Sequence, residues 1–208
     1  MKPEINFPNI VTALRILLTP LFIWLVMGEP GIMVQFAGLI FLIAAVSDWY
    51  DGWYARRYNK MSAFGRFFDP LADKVLIGAA FFVFASLDFF SFWMVFVIVG
   101  RDILVTLLRV VADLKGQPVV TSRLAKWKTA LQLTFLCYII GVVTLKNVEW
   151  FTARVAAGFI DALLSPWIVE TGMIVLTLLS LITAGQYLIE NRHTLRILVN
   201  GSLARTTS

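Results

Sequence analysis

The 208-residue chain predicts an all-α integral membrane protein, a bundle of six transmembrane helices with cytoplasmic termini. Three observations carry that prediction. Hydrophobic residues make up 59% of the chain and charged residues only 15%, against about 25% charged in a soluble domain. That leaves too little polar surface to cover a water-facing globule and too much apolar content for disorder. The apolar residues also gather in six runs near the ~20 residues that a spanning helix needs. Finally, if the N-terminus lies inside, sixteen of the eighteen Lys and Arg fall on the cytoplasmic side, and only Lys146 and Arg154 fall on the other.

The elements follow in order. Residues 1–9 are an N-terminal interfacial segment, and the first run is 10–27. Arg15 interrupts it and no small-residue cleavage pattern follows Met27, so it is read as a permanent helix and not as a removable leader. Gly28-Glu29-Pro30-Gly31 is a tight turn, since Gly supplies positive φ and Pro cannot continue a helix. The second run is 32–50, and the third, 71–87, ends in a short turn at Asp88 between Ser86 and Ser91. The fourth and fifth runs, 89–111 and 124–145, flank a basic segment. Residues 147–165 mix Glu149, Arg154 and Asp161 with Phe151, Val155 and Phe159, as an amphipathic helix on the outer face would. The sixth run is 167–189, so that 10–190 forms one domain and 191–208 a cytoplasmic tail.

Trp24, Trp93, Trp127, Trp150 and Trp167 fall near run ends, as interfacial anchors do. The net charge of +5 then lies against an anionic leaflet and calls for no nucleic acid. Cys137 is the single cysteine, which excludes an internal disulfide and a cysteine-based zinc site.

Between the second and third runs lie four carboxylates, Asp48, Asp51, Asp69 and Asp73. Residues three and four apart share a helix face, so Asp48 pairs with Asp51, and Asp69 with Asp73. If the two helices pack side by side, the four converge at the cytoplasmic end of the bundle. One Asp at mid-bilayer costs about 2.5–3.5 kcal/mol, and clustered anions also repel, so the group needs cations. Oxygen-only ligands suit hard divalent ions such as Mg²⁺. Gly52, Ala55 and Gly65 leave room beside the acids for a bulky group.

Read as a string, these residues are D-x-x-D-G-x-x-A-R-x(8)-G-x(3)-D-x(3)-D: Asp48, Asp51, Gly52, Ala55, Arg56, Gly65, Asp69 and Asp73. The pattern resembles the signature of the CDP-alcohol phosphotransferases, integral membrane enzymes of phospholipid synthesis. The resemblance implies that Asp48, Asp51, Asp69 and Asp73 hold divalent metal, Mg²⁺ or Mn²⁺, as two ions. Asp73 would also be the base that takes the acceptor's proton. Gly52, Ala55 and Gly65 would admit the nucleotide, and Arg56 would contact phosphate. Asn9, Thr12 and Arg15 look like the family's N-x-x-T-x-x-R element at the nucleotide end.

The second basic region suggests an acceptor that carries its own phosphate, held by Arg as a fork and Lys as a point charge. Asp69-Pro70-Leu71-Ala72-Asp73-Lys74, the Arg101-Asp102 to Arg109 segment, and Lys126-Trp127-Lys128 with Thr129 and Gln132 resemble the family's bacterial glycerol-phosphate branch. Asp102 stands where glutamate is more usual, and Ala125 where glycine is. The resemblance assigns Lys74, Arg101, Arg109, Lys126 and Lys128 to the acceptor phosphate. It implies transfer of a phosphatidyl group from CDP-diacylglycerol to sn-glycerol 3-phosphate, with release of CMP, by a homodimer in the bacterial cytoplasmic membrane whose active site faces the cytoplasm. Two alternatives stand beside it. One is a sister enzyme using another phosphorylated alcohol, such as inositol phosphate. The other is a cation transporter, although such proteins pair broken helices in repeated halves and this chain has one acidic cluster.

Overall fold

All six apolar runs are helical, and most of the helices continue past the run that predicted them. A computed structural model describes residues 7–28, 30–58, 63–116, 119, 122–154, 157–192 and 194; for 7–13, 48–58, 63–73 and 157 it describes the backbone alone. Most of the predicted interfacial segment and tail therefore lie outside the described residues. The described residues form α1 (Phe7–Met27), α2 (Ile32–Tyr58), α3 (Ala63–Ser86), α4 (Phe92–Leu114), α5 (Arg123–Lys146), α6 (Glu149–Thr152), α7 (Ala157–Leu163) and α8 (Pro166–Glu190). No strand occurs among them. Two stretches, Arg123–Lys146 and Gly158–Glu190, are long and apolar enough to cross a membrane.

Local chemistry sets the breaks. Gly31 adopts φ 114°, and its N–H donates to Asn147 Oδ1 at 2.8 Å while Gln35 Nε2 donates to the Asn147 carbonyl at 2.7 Å. The α1–α2 turn is thereby fastened to the end of α5. α3 ends in a Schellman turn: Asp88 takes φ 59°, its N–H reaches the Ala85 carbonyl, and the Phe89 N–H reaches back to Phe84. The Phe84 and Phe89 rings close that turn edge to face with centroids 5.4 Å apart, inside the range of about 4.5–7 Å that such pairs adopt. Pro20 removes one N–H inside α1, and one residue earlier the Thr19 hydroxyl donates to the Arg15 carbonyl at 2.9 Å.

The stretch 147–165 differs from the single amphipathic helix expected there. It forms two short helices, because Ala153 and Arg154 close the end of α6 onto Glu149 and Phe151. The Arg154 guanidinium lies 4.2 Å over the Trp150 ring, which holds that closure.

The six long helices close into a ring: α1 packs on α2 and α3, α3 on α4, α4 on α8, α8 on α5, and α5 on α2. Close approach requires small residues; a Cβ at Gly172 of α8 would run into the Phe135 ring of α5. Inside the ring the buried faces are graded. α4 buries only apolar residues at first, Met94, Val95, Ile98 and Val99, and then Asp102 and Thr106 among Val105, Val110 and Ala112. α8 buries Val169, Met173 and Leu176, then Thr177, Ser180, Thr183 and Tyr187. α5 buries in the reverse order, Lys128 and Gln132 first and Leu136, Ile139 and Ile140 after, and Lys128 meets Asp102 of α4 at the polar end. α1 follows suit, with Arg15 and Thr19 buried before Phe22, Leu25 and Val26. One end of the core is thus apolar, built on Phe22, Phe41, Phe81, Phe84 and Ile98, and the other is polar. The phenylalanines from α3 to the start of α4 divide accordingly: Phe81, Phe84 and Phe90 are core, while Phe92 is exposed. Outward faces carry Leu17, Trp24, Phe36, Leu42, Phe96, Leu131, Leu178 and Ile189, all largely exposed, a surface suited to acyl chains rather than water.

Candidate active site

The acidic signature occupies two helices at their linked ends. α2 stays helical through Tyr58 and so carries Asp48, Asp51, Gly52, Ala55 and Arg56 on one element. α3 is helical from Ala63 and carries Gly65, Asp69, Asp73 and Lys74. At 100° per residue, Asp48 and Asp51 lie about 60° apart around their axis, and Asp69 and Asp73 about 40°. Each pair therefore shares a face. The side chains of these residues other than Lys74, like those of Asn9 and Thr12 on α1, lie outside the described residues. The donor set, four carboxylates in two same-face pairs, fits a hard divalent cation. Among the described residues no group of three His, Cys, Asp or Glu side chains forms a rival metal site.

Beside α3, the polar end of the core holds a fully buried ion pair. Lys128 Nζ donates to both Asp102 oxygens at 2.6 Å each and to Gln132 Oε1 at 2.7 Å. All three ammonium donors are used, and the Lys128 side chain has no accessible surface. Arg101 Nη1 donates to the same carboxylate at 3.0 Å. Lys74 stands near enough for its charge to act on both Asp102 and Lys128. Helices α3, α4 and α5 thus bring Lys74, Arg101 and Lys128 around one acid.

The basic residues singled out in the sequence do not behave alike. Arg101 keeps Nε and Nη2, and Arg109 keeps Nε, buried without a hydrogen-bond partner among the described residues. These are N–H groups aimed at an acceptor that the described protein atoms do not supply. Lys126 is exposed, because two residues along a helix turn it about 200° from Lys128. The two lysines expected to act together therefore face opposite ways. Arg15 is buried on α1 at 3% exposure. Asp102 and Gln132 enter the cluster although neither was singled out as a site residue. The signal was present, since Gln132 lies one turn after Lys128 and Asp102 follows Arg101 directly.

α2 and α3 both pack on α1, so the two same-face carboxylate pairs lie on consecutive helices of one bundle, whose polar end also holds buried cations. The model of the family described as CDP-alcohol phosphatidyltransferase matches residues 5–167, and the chain belongs to that family of enzymes. Among its relatives is the CDP-diacylglycerol–glycerol-3-phosphate 3-phosphatidyltransferase of Bacillus subtilis (strain 168), 41% identical over 140 residues, which are 62% of this chain and 72% of the relative. The protein of the same description from Escherichia coli (strain K12) is 36% identical over 170 residues, 79% of this chain and 91% of the relative. A third, from Rickettsia prowazekii (strain Madrid E), is 36% identical over 140 residues, covering 67% and 77%.

Proposed function

We propose that this chain transfers the phosphatidyl group of CDP-diacylglycerol to sn-glycerol 3-phosphate, giving phosphatidylglycerophosphate and CMP. The observation that carries the reading is the acidic signature on helices α2 and α3, with α3 packed on α4, whose Arg101 and Arg109 keep buried N–H groups without a partner among the described residues. The shared description of the three relatives supports the choice of acceptor. The enzyme would be a six-span protein of the bacterial cytoplasmic membrane, with both termini and the polar end of the core on the cytoplasmic side, acting as a homodimer.

In this reading Asp48, Asp51, Asp69 and Asp73 hold Mg²⁺ or Mn²⁺, as two ions. Such ions would supply neutralisation of the pyrophosphate and stabilisation of the leaving phosphate. Asp73 takes the proton of the acceptor hydroxyl. The hydroxyl oxygen bonds to the phosphatidyl phosphorus, the bond from that phosphorus to the bridging oxygen breaks, and CMP departs with the electron pair. Gly52, Ala55 and Gly65 leave space for the cytidine and ribose, Arg56 meets phosphate, and Asn9, Thr12 and Arg15 line the nucleotide end. Lys74, Arg101 and Arg109 hold the acceptor's phosphate. Lys128 stands behind Arg101, steadying it through Asp102. Lys126, being exposed, attracts the anion from solution and the membrane surface.

The test is CMP release by the purified protein with CDP-diacylglycerol against a panel of acceptors. Glycerol 3-phosphate is expected to support turnover well above inositol phosphate or unphosphorylated glycerol. Preference for inositol phosphate would replace the acceptor, and metal flux into proteoliposomes without CMP release would replace the enzyme with a transporter.

A further inference from the structure

The last helix carries polar groups that the reaction as described does not use. Apart from its first two residues, α8 lies beyond the stretch matched by the family model. Four hydroxyls turn inward on its polar half. Thr177 and Thr183 donate one turn back, to the carbonyls of Met173 at 2.8 Å and Leu179 at 2.7 Å. Ser180 and Tyr187 do not: they are 0% and 6% exposed, and their oxygens have no hydrogen-bond partner among the described residues. A buried hydroxyl without a partner destabilises a fold unless another group completes it.

The surroundings of Tyr187 say what that group is. α8 packs along α4, and the charges of Arg109, Asp113 and Arg101 all act on the Tyr187 ring. Asp113 is exposed. Among the described residues, Arg101 Nε and Nη2 and Arg109 Nε are left over on this pair of helices beside the two hydroxyls, against a single leftover acceptor, Gln186 Oε1. Donors in excess on two touching helices call for an acceptor with several oxygens, and an anion of phosphate type meets that need.

We propose that Tyr187 is a binding residue for the acceptor, its hydroxyl donating to a phosphate oxygen held by Arg101 and Arg109. This rests on the reading that the acceptor is a phosphorylated alcohol. A phenol suits the position: it adds a donor without adding a third charge, and its ring is fixed by only two torsions.

Tyr187→Phe in the purified full-length protein tests this, since it removes one oxygen and keeps the packing. The KM for glycerol 3-phosphate is expected to rise about 10- to 100-fold, the usual effect of a lost hydrogen bond to a charged group. The dependence on CDP-diacylglycerol and kcat at saturating acceptor should change little. Without acceptor the variant should unfold at the same or a higher temperature than wild type, because an unpartnered hydroxyl has gone, and inorganic phosphate should stabilise it less than it stabilises wild type. An unchanged KM together with undiminished stabilisation by phosphate would overturn the assignment. Should wild type prefer inositol phosphate, the choice of glycerol phosphate fails, and the role of Tyr187 is decided by its KM for that alcohol. Should wild type use only unphosphorylated alcohols, both fail.

Discussion

Lys128 has three protons to donate, and Asp102 and Gln132 accept all three. In the proposed reading it therefore forms part of the site's wall, and Arg101, which shares Asp102, is the residue that would meet the acceptor. Removing one member of a buried pair leaves an uncompensated charge and costs about 3–5 kcal/mol, whereas replacing both by apolar groups is often neutral. Lys128→Met is thus expected to lower the thermal unfolding temperature of the detergent-solubilised protein sharply, and the double variant Asp102→Leu, Lys128→Met to recover much of the loss. A double variant no more stable than the single one would mean that the pair is not the coupled unit described. For single residues, the type was legible beforehand and the direction was not. Lys126 and Lys128 read alike as cations, and only helical geometry turns one to solvent and the other to the core. Tyr187 gave no signal, because a tyrosine near the end of an apolar run reads equally well as an interfacial anchor.

At the scale of elements, the existence of the six long helices was legible from the apolar runs, but their polar ends were not. α2 runs eight residues beyond its apolar run and α3 starts eight residues before its own. Hydropathy stops where the charged signature begins, while the helical hydrogen-bond ladder does not. The i,i+3 and i,i+4 spacing of the aspartates carried the correct structure across that gap. Gly28-Pro30-Gly31 announced its turn, and Gly31 adopts the positive φ expected of it. The fastening of that turn to Asn147 of α5 joins residues 116 apart in sequence and left no local trace. Residues 147–165 were the hardest to read, since their mixture of acids and aromatics suits one amphipathic helix or two short ones. The closure at Ala153–Arg154 over Trp150 decides the matter, and it depends on geometry that composition does not encode.

For the molecule as a whole, the organising feature is the graded core: apolar at one end of the ring and polar at the other, on α1, α4, α5 and α8 alike. Such a gradient lets acyl chains surround the bundle while a charged headgroup enters from one face. The proposed six-span topology puts that face in the cytoplasm and predicts a labelling pattern. In a Cys137→Ser background, a cysteine at Glu149 should react with a membrane-impermeant maleimide on intact cells, and one at Lys115 only after permeabilisation. The reverse pattern would invert the topology, and labelling of both on intact cells would rule it out.

The central claim is that α2 and α3 present the carboxylates that perform the transfer, with Asp73 as the base. The most direct measurement is the initial rate of CMP release by purified Asp73→Asn, which keeps shape and removes both the base and a carboxylate of the metal set, compared with wild type at saturating CDP-diacylglycerol and glycerol 3-phosphate. A fall of at least about 10²–10⁴-fold is expected, the usual span for loss of a general base, with the thermal unfolding temperature preserved. Turnover near that of wild type in a folded Asp73→Asn protein would contradict it.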